Sequence, residues 1–431
     1  MEFSVVDGLR TVKFDLVFSL ALAALALFVG YAVQRRVPWL SRTNVPAAAV
    51  GGLLFACVVF ALRQTGAAGV VLNTTLRGPL QTAFFTTIGL SATFALLRAG
   101  GWRMGFFWLL ATLTAVVQNL VGVGLAVLLG APALLGIICG ALTLTGGPAT
   151  GQAWESRFAE MGVAGAGSLI IASALFGIFV SSLVGNPVAT ALIRRRGLAP
   201  PREVGETLTP EEEFWALSPT VAPDDDGKDR VRETKEGGRE LDAGVLLHNL
   251  LLVLLVMGVG AVLSLSVKSS AFTLPDYIGA MVLAAVARNL DDRTGWLRVD
   301  ARAVALIASV SLALFLVLAL MSLELWKIAG LALPMLVILC AQVFVTVAYA
   351  LLVTFVLMGR DYEAAVTASG HVGFGLGITA NAVANMEALV ERFAPAPRSF
   401  LVVPVVGAFF IDFSNSLVIT ASVSLYNYFA R

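Results

Sequence analysis

The sequence predicts an all-α polytopic membrane protein made of two inverted five-helix repeats, each with a re-entrant glycine-rich loop. Three observations lead there. Hydrophobic residues are 58% of the 431 and charged residues 13%, against about 25% charge in a soluble domain, and the mean hydropathy is +0.87. Charge-free runs recur along the chain, most of them near the ~20 apolar residues that a membrane helix needs. The chain also repeats itself, in a register offset by 224 residues.

The first run, residues 16–34, ends at Arg35-Arg36 and not at a small-residue cleavage site, so it reads as the first span rather than a removable signal. Run 104–154 is too long for one helix. It divides into a long helix from Met104 to Gly130 and a second piece from Pro132 to Trp154. That piece is interrupted by Thr143-Leu144-Thr145-Gly146-Gly147-Pro148-Ala149-Thr150-Gly151. Paired glycines followed by a proline do not comfortably continue a helix. A matching break is expected within 364–386, over Ser369-Gly370-His371-Val372-Gly373-Phe374-Gly375-Leu376-Gly377. Non-helical backbone at membrane depth survives only where protein buries it or it lines a wet cavity. The two breaks therefore mark the candidate site.

Residues 197–242 differ from their surroundings. They hold 13 of the 28 acids but only 6 of the 29 bases, and such a segment is too polar to fold alone. The domain reading is a membrane repeat over 1–196, an acidic linker over 197–242 acting as a flexible tether, and a second, inverted membrane repeat over 243–431.

Basic residues suggest the orientation. If both broken segments re-enter, 15 bases share one face: Arg35, Arg36, Arg42, Arg98, Arg103, Arg194, Arg195, Arg196, Arg288, Arg293, Arg298, Arg302, Arg360, Arg392 and Arg398. Eight take the other: Arg10, Lys13, Arg63, Arg77, Arg157, Lys268, Lys327 and Arg431. Letting the segments cross would separate Arg194-Arg195-Arg196 from Arg35, Arg36 and Arg42. Both termini are expected outside and the linker in the cytoplasm.

At the offset of 224, Trp102 falls on Trp326, Arg103 on Lys327, Gln118 on Gln342, Gly146 on Gly370 and Gly151 on Gly375. An odd number of spans per repeat turns the second copy upside down. The two breaks then enter from opposite faces and meet near the midplane, as in secondary transporters. Helix ends left there offer N–H groups to an anion and carbonyls to a cation.

The first break, read on through Gln152-Ala153-Trp154, resembles a signature loop of the bacterial glutamate:sodium symporter (ESS) family. Gly370 through Gly377, continued to Ala384-Asn385-Met386, resembles the second. Ala83 to Leu90, Leu97-Arg98-Ala99-Gly100-Gly101, Leu331 to Met335 and Phe400 to Asp412 are also similar. The chain departs from the family pattern at Pro148-Ala149 and at Thr379-Ala380-Asn381. The resemblance implies sodium-driven uptake of L-glutamate across the bacterial inner membrane, with Na+ as coupling ion and no organic cofactor. It also implies two inverted halves in a homodimer with an elevator-like movement. A symporter of aspartate or a dicarboxylate is the alternative, and a channel a more distant one.

Candidate substrate contacts are Thr145, Gly146, Gly147, Thr150, Gly151, Ser369, Gly370, His371, Gly373 and Gly375. Candidate sodium ligands are Thr379, Asn381, Asn385, Asp412 and Asn415, because sodium takes hard oxygens. Competing readings stand beside several of these. His371 in an apolar run also reads as a packing residue, and hydroxyls in membrane helices often bond their own backbone. Asp412 is an acid deep in the last apolar stretch, where a carboxylate needs an ion, a gate or a structural partner. Asn415 shares its helical face. Gln118 and Gln342 are expected to bond between helices. Cys57, Cys139 and Cys340 read as small apolar residues, and His248 as interfacial. The bases are scattered, which argues against nucleic acid. No HExxH, Walker A, Gly-x-Ser-Gly or second membrane aspartate appears, which argues against an enzyme.

Overall fold

The computed structural model describes residues 2–6, 9–37, 46–94, 101–198, 242–267, 276–323 and 331–429. Linker residues 199–241, together with Arg42, Leu97 to Gly100, Lys268, Trp326, Lys327 and Arg431, lie outside the described residues.

In the first half come α1 (Leu16–Arg36), α2 (Ala47–Gln64), α3 (Arg77–Ser91) and α4 (Gly101–Leu128). The broken segment follows as α5 (Ala133–Leu142), α6 (Gly147–Ala153) and α7 (Glu155–Glu160), and then α8 (Ala166–Arg196). The second half has α9 (Ala243–Val267), α10 (Asp276–Thr294), α11 (Ala301–Met321) and α12 (Ala332–Leu357). Its broken segment is α13 (Tyr362–Leu376) and α14 (Thr379–Arg392). Helices α15 (Pro397–Val405) and α16 (Ile411–Phe429), joined by a π turn, complete it.

Among the described residues, eight helices are long and apolar enough to cross a membrane, counting α15 and α16 as one. Ten spans were expected. Helix α3 falls short at 15 residues, and the last turns of α10 carry Arg288, Asp291, Asp292 and Arg293. Outer faces are apolar: Phe28 is 74% exposed, Leu255 68% and Phe344 77%. Large contiguous apolar surface of this kind belongs against lipid. The chain is a multi-pass membrane protein.

One element departs from an all-α fold. Glu2–Val6 and Leu9–Lys13 form an antiparallel pair, β1 and β2, and β2 pairs in parallel with β3 (Gly69–Val71). The Asp7-Gly8 pair between the first two strands is a preferred hairpin dipeptide, a signal that membrane patterning overlooks.

The helices pack as two groups. A frame is built from α1, α2 and α3 with α9, α10 and α11, where α2 and α3 both lie on α11, and α3 also on α10. A core is built from α4 to α8 with α12 to α16. Within the frame, α1 crosses α2 where a Cβ on Gly30 would collide with the Ala47 carbonyl, and one on Gly51 with that of Ala26. Helices α9 and α10 cross in the same way at Gly260 and Gly279. Small residues let membrane helices approach this closely.

Interhelical bonds assign the ends. Asn289 Nδ2 donates to the Ala92 carbonyl at 2.9 Å, bringing the ends of α10 and α3 together. Arg398 reaches Asp361 at 3.0 Å and Glu363 at 2.9 Å, and Tyr362 Oη donates to the Ala394 carbonyl. The start of α13 and the end of α14 therefore lie at one level.

The second break is shorter than expected. Ser369 to Leu376 is helical, and only Gly377 and Ile378 interrupt the pair. Here the glycines serve packing rather than unwinding. Gly370 abuts Met386 and Val403, Gly373 the backbone of Ala382, and Gly375 the side chains of Thr346 and His371. The register of 224 accordingly fails past the break: Gly370, which it pairs with Gly146, sits in mid-helix, while α6 and α14 begin at Gly147 and Thr379.

Gly51→Ala should lower stability in detergent by on the order of 1–3 kcal/mol through overpacking. Gly124→Ala, with no atom within 4 Å of the added carbon, should not. Equal melting temperatures for the two variants would contradict the close α1–α2 crossing.

Candidate functional site

The first break starts early. Gly140 leaves helical geometry at φ −102° and ψ −140° within the π turn that ends α5. Thr143 to Gly146 are turn and bend, and Gly147, at φ +65°, takes a backbone conformation that favours glycine. Pro148 then falls in the first turn of α6, where its missing N–H costs nothing. In the second break, Ile378 is extended at φ −132° and ψ 167°.

The two breaks touch. A Cβ on Gly147 would lie 3.1 Å from Ile378 Cγ2 and 3.8 Å from the Gly377 carbonyl oxygen. Gln118 of α4, fully buried, joins them. Its Oε1 accepts from Thr145 Oγ1 at 2.7 Å, while its Nε2 donates to the Gly375 carbonyl at 2.6 Å and to Thr346 Oγ1 at 3.0 Å. Its own carbonyl accepts from Gln342 Nε2 of α12 at 2.6 Å. The repeat-matched glutamines thus bond directly between helices.

Asparagines serve the remaining backbone. Asn119 Oδ1 accepts from the Ala141 N–H at 2.9 Å, and Asn415 Nδ2 of α16 donates to the Ala141 carbonyl at 3.0 Å. Asn381 Nδ2 donates to the Ile178 carbonyl at 2.8 Å, to Ser181 Oγ at 3.0 Å and to Ser182 Oγ at 2.6 Å. Asn385 Nδ2 donates to the Ser181 carbonyl at 3.1 Å, and Thr379 Oγ1 to the Gly407 carbonyl at 2.7 Å.

These bonds fix the amide orientations, since a carbonyl can only face the NH2 end. The opposite ends are left over. Gln342 Oε1, Asn381 Oδ1 and Asn415 Oδ1 are buried without a hydrogen-bond partner, as is Ser369 Oγ. Each such acceptor costs about 1–3 kcal/mol. Asp412 is half-buried in the first turn of α16, and its carboxylate has no hydrogen-bond or ion-pair partner among the described residues. Asn415 stands beside Gly146 of the first break and Asn381 beside Gly377 of the second, and Asp412 precedes Asn415 by three residues on α16; hard oxygens of this kind are the donors that a monovalent cation takes.

Not every expected residue gathers here. His371 lies more than a turn before the second break, its Nδ1 2.7 Å from Thr354 Oγ1 and its Nε2 3.1 Å from Thr114 Oγ1. The π turn Ala350–Thr354 carries the first of those hydroxyls, and Phe107, Phe374 and Tyr349 surround the ring. The geometry is that of a satisfied packing histidine. Thr150 is buried beneath Gly146, and Gly151 packs on Ile170. Sequence reasoning passed over Asn119, Ser181, Ser182 and Thr346. Their one signal is polarity inside apolar spans.

The family model described as Sodium/glutamate symporter matches residues 12–395. Curated relatives called Sodium/glutamate symporter include one from Escherichia coli (strain K12), 39% identical over 94% of this chain and 96% of its own. Another, from Haemophilus influenzae, is 34% identical over 96% of this chain and 98% of its own. A solved sodium proton antiporter, MjNhaP1 from Methanocaldococcus jannaschii, covers 96% of this chain and 97% of its own at 14% identity and a TM-score of 0.42, too distant to bear on the site. On the family match and these two relatives, the chain belongs to the sodium/glutamate symporter family.

Proposed function

We propose that this protein is a sodium-coupled symporter that takes up L-glutamate by alternating access, with the core shifting like an elevator against the frame. The observation that carries this reading is the contact between the two breaks, bridged by Gln118. Discontinuous helices meeting inside a membrane bundle are the general build of a transporter site.

Re-entry of both segments is supported by the bonds at their outer ends. Tyr362 bonds Ala394, so α13 and α14 leave and return at one level. Arg77, at the start of α3, reaches Gln152 and Glu155 at the end of the first broken segment, and Arg196, at the far end of α8, lies over Phe355 at the end of α12. Inversion of the halves is supported by packing that survives their exchange: α1 on α2 as α9 on α10, and α2 on α11 as α10 on α3. We extend the reading to both termini outside, a cytoplasmic linker, an inner-membrane location and a homodimer, as the family resemblance implies.

Sodium is cargo here. Asn381 Oδ1, Asn415 Oδ1 and the Asp412 carboxylate are the ligands we assign, with Thr379 and Asn385 holding the neighbouring backbone. Glutamate carboxylates would be received by N–H groups at the start of α14, whose N-cap, Ile378, supplies no side-chain bond. The amide of Gln342 is a further polar contact for the substrate, whereas Ser369 lies further from the second break than His371 does, against α8 and the π turn of α12. His371 keeps α13 seated between Thr114 and Thr354.

Protein reconstituted in liposomes should accumulate radiolabelled L-glutamate under an inward sodium gradient. Uptake unchanged by replacing sodium with potassium would end the coupling claim, and preferential competition by another dicarboxylate would reassign the substrate. Asn381→Ala and Asp412→Asn should each raise the sodium concentration for half-maximal uptake by on the order of tenfold, the loss typical of weakened metal ligation. A sodium titration that superimposes on that of the parent would return both residues to structural roles.

A further inference from the structure

A cavity of about 300 Å³ lies at the seam between frame and core, away from the two breaks. Glu155 of α7 and the segment from Gly162 to Ser168, which leads into α8, form its core side. Ser322 and Leu323, at the end of α11, form its frame side. Gly162, Ala164 and Ser322 are exposed, so the cavity opens to the surrounding medium.

Helix α8 begins on its wall. The N-cap is Gly165, at φ +68°, and it brings no side chain to the first turn. The N–H groups of Ala166, Gly167 and Ser168 make no hydrogen bond among the described residues. Free N–H groups at the positive end of a 31-residue helix favour an anion. A second observation points the same way. Ser168 is 2% exposed, yet its hydroxyl has no hydrogen-bond partner among the described residues. Buried hydroxyls are normally bonded. The Ser168 oxygen is not sealed in protein as that of Ser369 is, and the space it opens on is this cavity.

Glu155 supplies the opposite charge. Its Oε2 pairs with Arg77, which Gln152 also holds through its carbonyl at 3.0 Å and its Oε1 at 2.8 Å. The other oxygen, Oε1, accepts no hydrogen bond among the described residues. It lies against the first turn of α8, where a Cβ on Gly167 would collide with it. Donors and a free carboxylate oxygen therefore stand side by side, with the apolar Val163 and Leu323 completing the wall.

We propose that this cavity is a second binding site, for an α-amino acid zwitterion. The N–H groups of α8 and the Ser168 hydroxyl take the carboxylate, and Glu155 Oε1 takes the ammonium. An inorganic anion would leave Glu155 Oε1 unused, and a bare cation would leave the donors unused. In the proposed topology the cavity faces outside, where it holds L-glutamate at the mouth of the seam before the breaks receive it. That last step rests on the transport reading, whereas binding does not.

The test uses the full chain with Cys57, Cys139 and Cys340 replaced by alanine and one cysteine placed at Ser322, on the rim. In detergent, with potassium in place of sodium, L-glutamate should slow maleimide labelling there in a saturable way. Glutarate, which keeps both carboxylates and lacks the ammonium, should protect roughly tenfold less well at matched ionic strength. Ser168→Ala should raise the half-protecting glutamate concentration by roughly tenfold, the factor carried by one hydrogen bond to a charged group. Glu155→Gln should remove the preference for glutamate over glutarate. Absence of protection, protection that appears only with sodium, or equal protection by glutarate would each overturn the proposal, and all three are read without altering the site. A Ser168→Ala curve superimposed on the parent's would do the same. Sodium-driven uptake by the same reporter chain tests the transport reading separately: protection without uptake would end that reading and leave this site standing.

Discussion

A peptide group that leaves a helix inside a bilayer finds no water, so the protein must supply its partner. That constraint organises this molecule. The first break frees the N–H of Ala141, which Asn119 takes, and Asn415 from another helix joins the Gly146 N–H on the Ala141 carbonyl. The second exposes the Gly375 carbonyl, taken by Gln118, whose other end holds Thr145 of the first break. Neither interruption is self-sufficient. Each depends on α4, so the two are built as one unit and a change at Gln118 is felt by both.

The same bonds explain why the site is chemically poised. An amide that spends its NH2 group on a backbone carbonyl must point its oxygen elsewhere. Asn381, Asn415 and Gln342 do so within a buried region. Three orphaned acceptors would cost several kcal/mol together by the usual allowance of about 1–3 each, large beside a typical net stability of about 5–15 kcal/mol. In the proposed function a bound sodium ion offsets the share of Asn381 and Asn415, and the substrate that of Gln342. On that proposal, local structure and ligand binding draw on the same few amide side chains.

Much of this was legible in the residues. Apolar run lengths gave most of the spans, and Gly146-Gly147-Pro148 marked the first break, since those residues oppose helix wherever they stand. The second break falls later than its glycines suggest. Gly370, Gly373 and Gly375 look like helix breakers, yet they admit Met386, Ala382 and Thr346 at close range. Glycine serves both purposes, and only the neighbours distinguish them. His371 is similarly ambiguous in the sequence, and in the fold Thr114 and Thr354 stand at its two ring nitrogens. Nor could one-dimensional pattern reveal the frame–core division, because it rests on which apolar faces meet. The small N-terminal sheet was missed for a simpler reason, that alternation over five residues is faint beside twenty-residue runs.

The central claim, that both breaks border one solute site, is tested most directly by chemical protection. Single cysteines at Thr145 and at Ile378 should each react with a small water-soluble maleimide in reconstituted protein. Sodium with L-glutamate should slow both reactions, with the same half-protecting glutamate concentration at the two positions. Protection at one position with unchanged reactivity at the other would contradict a shared site.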